Sequence, residues 1–283
     1  MSSPPDPLPD QLEQVPPPAP VVLDSSFGVP LQIIPPPPKR FPAWSGWDLL
    51  AILVFTLVAI FVFTMIALFV AHSYPAYRNA PFTELATNAK VVIGAQAAAY
   101  PIVLLFIFLM VRSRADQPFN TAIRWQWPGN LALAFIVGGA VLAIAVEGMA
   151  RFLPIPKSLP MDTYFHDASS AYLMAAFGIT LAPLLEEVFF RGLLYPLLRR
   201  WFGLITGVLL TGAAFAAIHG AQLGYAWAPV FSIFIVGIVF TIVREKTGSV
   251  ASSFLMHCGY NLALFSALWI GSDHFRHLEK VAG

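Results

Sequence analysis

Long apolar runs separated by short polar stretches dominate the pattern of this chain. Seven such runs cover roughly residues 47–71, 89–111, 130–152, 169–200, 203–221, 226–243 and 249–270. A helix needs about twenty apolar residues to cross a bilayer, and each run is close to that length or longer. The pattern therefore predicts an all-α fold, a polytopic bundle of transmembrane helices.

The fourth run is too long for one straight crossing. Pro183 could kink residues 169–200 within one span, or the run could be a span followed by a separate helix along the membrane interface. We therefore expect seven or eight spans, in a helical domain over residues 47–272. Residues 273–283 are then a short polar C-terminal tail.

Residues 1–46 have a different composition from the rest of the chain. They hold 14 of its 25 prolines, in stretches such as VPPPAP and IIPPPPKR. Such a segment cannot build a hydrophobic core, so we predict a disordered, proline-rich N-terminal tail. This tail would act as a tether or would dock a proline-binding partner.

Composition supports the membrane interpretation and excludes other classes. The chain is 58% hydrophobic and only 11% charged, and its net charge of +1 indicates no nucleic-acid partner. Cys258 is the single cysteine of the sequence, which rules out an internal disulfide or a CxxC metal site. No charged stub precedes an apolar core at the N-terminus, so we expect no cleavable signal peptide.

Basic residues between the runs predict the orientation. With seven spans, nine Lys and Arg residues lie on the side of the N-terminus and six on the opposite side. An excess of basic residues marks the cytoplasmic side, so we predict a cytoplasmic N-terminus. Trp44, Trp47, Trp125 and Trp127 stand at predicted span edges, where indole rings prefer the membrane interface.

Few ionisable side chains interrupt the runs, and each costs about 2.5–3.5 kcal/mol at mid-membrane. Glu147 and Arg151 are four residues apart near the end of the third run, which predicts an ion pair at a helix end. Glu187 and Arg191 have the same spacing, so a salt bridge explains them too. Glu186 points about 100° away from Glu187 around the helix and stays without a partner. A carboxylate in a low-dielectric site suits a general base or acid.

Two later runs add polar groups. FAAIHGAQ places His219 near the end of the fifth run, and FLMHCGYN places His257 and Asn261 on one helical face of the seventh. A single histidine in such a helix is more often a hydrogen-bond partner between helices. Three helices that each supply such a group are harder to explain in this way. We predict that these residues share one buried cavity with Glu186.

The same residues form the three motifs of a known family. EEVFFR fits EExxxR, FAAIH fits FxxxH and HCGYN fits HxxxN, in that order and each within an apolar run. The motif positions are Glu186, Glu187, Arg191, Phe215, His219, His257 and Asn261. Over about residues 130–270 the chain resembles the CPBP family of intramembrane proteases, which includes CAAX prenyl endopeptidases and bacterial Abi proteins.

The resemblance implies a peptide-bond hydrolase that works inside the membrane on a membrane-associated peptide or protein. By the resemblance, Glu186 is the catalytic carboxylate and activates a water molecule together with His219. His257 and Asn261 would hold the oxyanion that develops during hydrolysis. The ion pair of the first motif would orient the site.

Some members of this family are described as metalloproteases. In that case Glu186, His219 and His257 would be the zinc ligands, since three protein ligands and a water are the usual catalytic pattern. We favour a site without an obligatory metal, because an asparagine is a poor zinc ligand but a good oxyanion donor. HExxH, GxSG and GxGD motifs are absent, which sets aside zincin-type, serine and aspartyl sites of these kinds.

Our leading interpretation is an active endopeptidase of CAAX type or leader-peptide type in the plasma membrane of a prokaryote. One alternative is a catalytically silent bacteriocin-immunity or binding protein on the same scaffold, against which the intact motifs argue. Another is a proton-coupled transporter, whose buried Glu and His residues would relay protons. The motif helices show no inverted repeat, which weakens the transporter interpretation.

Overall fold

A computed structural model describes residues 22–23, 30–31 and 41–278 of the chain. Contacts divide the chain into two units, Met1–Lys39 and Arg40–Gly283. In the first unit, Val22–Leu23 pairs antiparallel with Pro30–Leu31. The remainder of the first 40 residues lies outside the described residues, so the predicted disorder of the tail stays a prediction.

The second unit is helical, which confirms the prediction of an all-α fold. Its α-helices are α1 (Gly46–Ser73), α2 (Phe82–Leu85), α3 (Ala89–Arg114), α4 (Phe119–Ala122), α5 (Ala132–Ala150), α6 (Ala168–Ile179), α7 (Leu181–Glu187), α8 (Tyr195–His219), α9 (Trp227–Thr247) and α10 (Val250–Gly271). Short 3-10 turns cover Gly129–Leu131 and Pro160–Phe165, and a π-helix over Val188–Leu194 joins α7 to α8.

Within the described residues, six helical runs are long and apolar enough to cross a membrane. They are Gly46–Ser73, Ala89–Arg114, Gly129–Ala150, Ala168–His219, Trp227–Thr247 and Val250–Gly271. The fourth of these contains 52 residues and joins the predicted fourth and fifth spans. The positions of the breaks within this run therefore show which of its parts correspond to the two predicted spans.

The first break in the 52-residue run is at Thr180, where φ is −120° and ψ is −75°. Pro183, the residue predicted to kink this run, lies three positions later in the first turn of α7. A proline ring clashes with the carbonyl group four residues before it, here that of Ile179, so a break directly after Ile179 is the expected effect of Pro183.

The second break is at Gly203, whose φ of 80° is in the left-handed region that glycine adopts without strain. The chain folds back there. This is shown by the position of Gly207, where an added Cβ atom would lie only 2.9 Å from the Cα atom of Arg199. Residues eight apart in a continuous helix are separated by about 12 Å. This turn agrees with the predicted boundary between the fourth and fifth spans, while the number of crossings stays a prediction.

Helices α5 and α10 make a close contact through two glycines. A Cβ atom on Gly139 would lie 2.0 Å from the carbonyl oxygen of Met256, and one on Gly259 would lie 2.0 Å from that of Ile136. Small residues allow helix backbones to approach in this way, and the lost side-chain volume is replaced by backbone contact. The contact fixes the position of α10, the helix that carries the HxxxN motif, along its axis relative to α5.

The packed unit begins before α1. Trp44, predicted at the membrane interface, is buried instead, and its Nε1–H donates to the carbonyl oxygen of Leu193 at 2.9 Å. A buried indole needs a partner for its N–H, and the irregular backbone near the π-helix supplies one. Trp47 and Trp127 are exposed. In the predicted C-terminal tail Phe275 is buried, whereas residues 279–283 lie outside the described residues.

Candidate active site

The first motif lies where regular α-helix gives way to π-helix. Glu186 and Glu187 are the last two residues of α7, and Arg191 is in the π-helix that follows. A π-helix is rare and often marks a functional site, because it rotates side chains out of the positions that an α-helix would give them. Pro196 lies in the first turn of α8, directly after the π-helix.

Glu187 and Arg191 form the predicted ion pair. Arg191 Nη1 donates to Glu187 Oε1 at 2.8 Å, and both side chains are fully buried. The other terminal nitrogen of Arg191, Nη2, donates to the carbonyl oxygen of Gly237 in α9 at 2.9 Å. The pair therefore joins the π-helix to α9, and losing either partner would leave an uncompensated charge in the core.

Aromatic rings complete the surroundings of Arg191. Its guanidinium carbon lies 4.5 Å from the ring centre of Phe215, 5.3 Å from that of Phe240 and 5.9 Å from that of Phe190. Rings at these distances attract a cation through their quadrupoles. The phenylalanine of the FxxxH motif thus packs on the arginine of the EExxxR motif. Sequence reasoning missed Phe240, because an apolar residue in an apolar run carries no signal of its own.

His257 lies between the two glutamates. Its Nδ1 is 3.0 Å from Glu187 Oε1, and its Nε2 is 3.7 Å from Glu186 Oε2. The ionised Glu187 can only accept, so we assign the proton to Nδ1, and Nε2 is the ring nitrogen that faces Glu186. Glu187 thereby fixes both the orientation and the tautomer of His257.

His219 is held by its own helix. Its Nδ1 lies 2.8 Å from the carbonyl oxygen of Phe215, so Nδ1 carries the proton and donates. Nε2 is then free to accept a proton from a molecule in the cavity that His219 lines together with Glu186. The expectation that Glu186 and His219 approach within about one bridging water stays a prediction.

Asn261 connects α10 to α6. Its side-chain Nδ2 donates to the carbonyl oxygen of Gly178 at 2.6 Å. An amide nitrogen has two hydrogens, so one N–H and the Oδ1 atom remain for another partner. The carbonyl of Gly178 is available because the helix breaks at Thr180, two residues later.

One cavity of about 340 Å³ brings the predicted residues together. Glu186, His219, His257 and Asn261 all line it, as the sequence predicted. Most of the remaining wall is apolar, and its other polar side chains are Gln96, Tyr100, Tyr164, Gln222 and Tyr260. Gln96 and Tyr100 are four residues apart in α3, and that spacing of polar groups within an apolar run was the signal that could have identified them.

The residues proposed as zinc ligands do not form a three-ligand site. Glu186 and His257 are neighbours, but no group of three or more His, Cys, Asp or Glu residues in the described part of the chain is placed to hold a metal ion. A catalytic zinc normally has three protein ligands. The arrangement therefore does not fit the zinc alternative, and we derive no catalytic step through a metal.

The predicted ion pair between Glu147 and Arg151 is absent from the salt bridges found among residues 41–278. Both side chains instead line a second cavity of about 460 Å³ between α5 and α9. Both residues are exposed, so each charge can be solvated separately and the gain from pairing is small.

Comparison with known proteins agrees with this geometry. Residues 168–263 match the family model described as Type II CAAX prenyl endopeptidase Rce1-like. The match starts at the first residue of α6 and ends within α10, so it contains all three motifs. No curated protein and no solved structure matches the chain. Together with the six membrane-capable runs, the match supports an integral membrane protein in which residues 168–263 are similar to the Rce1-like domain of a protease family.

Proposed function

We propose that the chain is an intramembrane endopeptidase that hydrolyses a peptide bond in a membrane-associated substrate of CAAX or leader-peptide type. One observation carries the proposal: Glu186, His219, His257 and Asn261, up to 75 residues apart in sequence, line the same cavity. Unrelated polar groups in a helix bundle would pair with their nearest neighbours and be scattered. Convergence of acidic, basic and amide groups on one partly apolar cavity is typical of an active site.

Glu186 is the carboxylate available for proton transfer. Glu187 is committed to Arg191 and His257, whereas no hydrogen bond to another described residue engages Glu186. In our mechanism Glu186 accepts a proton from a water molecule whose second hydrogen is bound by Nε2 of His219. The resulting hydroxide adds to the scissile carbonyl carbon. The proton then moves from Glu186 to the amide nitrogen as the C–N bond breaks, which yields a carboxylic acid and an amine.

The tetrahedral intermediate needs hydrogen-bond donors for its negative oxygen. Asn261 has one uncommitted N–H, because only one of its two amide hydrogens is needed for Gly178. His257 can donate from Nε2 only when that atom also carries a proton, since its Nδ1–H already binds Glu187. We therefore assign Asn261 as the constant donor and His257 as a donor in its protonated form.

Topology and partners complete the proposal. We place the N-terminus in the cytoplasm and the protein in the plasma membrane of a prokaryote, because basic residues are more frequent on the side of the N-terminus. The lipid bilayer surrounds the apolar helices, and the substrate reaches the cavity from it or from the membrane surface. A proline-binding protein remains the candidate partner of the proline-rich tail, residues 1–46.

Mass spectrometry of cleavage products tests the proposal. The full chain, purified in detergent, is incubated with prenylated and unprenylated reporter peptides, and a Glu186→Gln variant serves as the control. We expect one defined cleavage site in at least one peptide and none with the variant. A folded protein that cuts no peptide would contradict the proposal, and proton movement by the same protein in liposomes would then favour the transporter alternative.

A further inference from the structure

Three polar side chains of the cavity, those of Gln96, Tyr100 and Tyr164, lie outside the matched domain. Gln96 and Tyr100 are in α3, which packs against α6 and α7. Their spacing of four residues puts both on the same face of α3, the face that lines the cavity with Glu186. The wall that α3 contributes to the cavity is therefore partly polar, although α3 carries no family motif.

Gln96 and Tyr100 contrast with the three cavity residues of the family motifs that are held by hydrogen bonds within the protein. His219 binds Phe215, His257 binds Glu187 and Asn261 binds Gly178. No hydrogen bond to a residue of the described ranges engages the Gln96 amide or the Tyr100 hydroxyl, and both side chains are partly accessible.

The position of the Tyr100 hydroxyl is nevertheless defined. The ring of Tyr100 packs against that of Phe177 in α6, with 5.3 Å between the ring centres. An amide and a hydroxyl kept unpaired beside apolar walls such as Phe165, Phe177 and Leu264 are costly unless a bound molecule satisfies them. The arrangement thus indicates a ligand with both donors and acceptors.

A peptide main chain is such a ligand. When a substrate segment enters a cavity within the membrane, its N–H and C=O groups lose water and need new partners. The Gln96 amide offers a donor and an acceptor side by side, which matches one peptide group, and Tyr100 offers a further donor. The apolar walls leave room for apolar side chains and disfavour charged ones.

We propose that Gln96 and Tyr100 bind the main chain of an extended, apolar substrate segment beside the scissile bond, along the wall that α3 contributes to the cavity. This inference rests on the proposed peptidase function and adds a backbone-binding subsite to it. Because hydrogen bonds to the main chain do not depend on the side chains of the substrate, they would hold different apolar sequences in the same register. Neither residue is given a role in the chemical step.

Peptide binding to the Glu186→Gln protein tests the subsite independently of turnover. The probe is a fluorescent reporter peptide that the parent protein cleaves, with single N-methyl groups placed along its backbone. Gln96→Leu preserves volume and Tyr100→Phe preserves the contact with Phe177, so both variants should fold. We expect each to raise the Kd about three- to tenfold, the effect of one lost hydrogen bond. Tyr74→Phe, the same change at an exposed tyrosine outside the cavity, should leave the Kd unchanged.

The N-methylated peptides supply the decisive comparison. An N-methyl group at one backbone position of the peptide should weaken binding to the protein that keeps Gln96 and Tyr100. The same N-methyl group should have no further effect in the Gln96→Leu or Tyr100→Phe background, since the hydrogen bond that it blocks is already lost. In the active enzyme these variants should raise KM and leave kcat near its original value. Equal N-methyl penalties in all backgrounds, or a fall in kcat at constant KM, would overturn the inference while cleavage by the parent protein still supports the proposed function. Peptides that neither bind nor are cut would contradict both.

Discussion

Helices α1 and α9 show how differently two apolar helices of the same protein are used. α1 has the most apolar window of the six membrane-capable runs, yet only 17% of that window is buried within the protein, against 44% for α9. Large side chains such as Leu57, Phe61 and Phe69 of α1 are directed outward. In a bilayer the solvent is itself apolar, so the most hydrophobic helix is suited to the periphery.

The interior of the bundle has the opposite character. Around α9 it contains the ion pair Glu187–Arg191, His257 and the aromatic rings that pack on them. Interactions of this kind are strong in a low-dielectric environment and depend on geometry, whereas contacts with lipid are non-specific. Substitutions should therefore have large effects at the interior polar groups and small effects on the outward face of α1.

The largest effect should come from Glu186→Gln. This change preserves size but removes the proton acceptor, so we expect kcat to fall by about 10²–10⁴-fold, the usual contribution of a general base. Expression and thermal unfolding should stay close to those of the parent protein, because no internal hydrogen bond of Glu186 is lost. Peptide cleavage assays measure the rate, with Phe61→Leu on the lipid-facing side of α1 as a control of normal activity. An unchanged rate in the Glu186 variant would refute the mechanism.

Glu187→Gln should act on folding as well as on activity. It leaves the buried guanidinium of Arg191 without its counter-charge, and breaking a buried pair costs about 3–5 kcal/mol. Thermal unfolding in detergent should occur at a clearly lower temperature, and the yield of membrane-inserted protein should fall.

The half-exposed ion pair Lys90–Asp167 is the matched comparison for Glu187. Lys90→Gln should cost no more than about 1 kcal/mol, because water solvates the remaining charge. Equal destabilisation by the two changes would mean that burial of the Glu187–Arg191 pair has no energetic consequence.

Gly259→Ala should destabilise the contact between α5 and α10. The added Cβ would lie 2.0 Å from the carbonyl oxygen of Ile136, so the helices must separate, at a cost of about 1–3 kcal/mol. Gly94→Ala in α3 has open space around the same atom and should be neutral or stabilising by roughly 0.5–1 kcal/mol. Unfolding temperatures of the two variants, measured side by side, give the comparison. A stable Gly259 variant would contradict the close helix contact.

Removal of metal should have little effect. A mechanism through Glu186 and His219 requires no ion, so we expect activity to survive dialysis against a zinc chelator. Elemental analysis of the active protein, before and after this treatment, provides the check. About one zinc per chain, lost together with activity and restored with it, would establish the metal-dependent alternative.

Removal of the proline-rich segment should have the smallest effect. A chain that starts at Phe41 retains the hydrogen bonds of Pro42 with Arg200 and of Trp44 with Leu193, so its peptidase rate should match that of the full chain. A chain that starts at Gly46 loses both and should be less stable. Membrane insertion and cleavage rate, measured for both, test this boundary. A large loss of activity on removal of residues 1–40 would show that they contribute to the site or to its folding.

The sequence by itself determined the helical class and the approximate limits of the helices, and it supplied the candidate residues of the site. Hydropathy predicts the helical runs and the boundary between residues 200 and 203, Pro183 predicts a break in the fourth run, and the spacing of Glu187 and Arg191 gives their ion pair. These are local effects that act within about one or two helical turns. The three motifs also predicted the shared cavity, because ionisable groups in apolar helices avoid lipid.

Only the tertiary structure decided which partners meet across helices. It placed His257 between both glutamates, brought Phe240 onto Arg191, buried Trp44, left Glu147 and Arg151 unpaired, and turned Gln96 and Tyr100 towards the cavity. These pairings depend on the rotation and depth of each helix, which are set by distant contacts such as that of Gly139 and Gly259 with the facing backbones. Apolar side chains cannot reveal this from sequence, because lipid and a neighbouring helix are nearly equivalent surroundings for them.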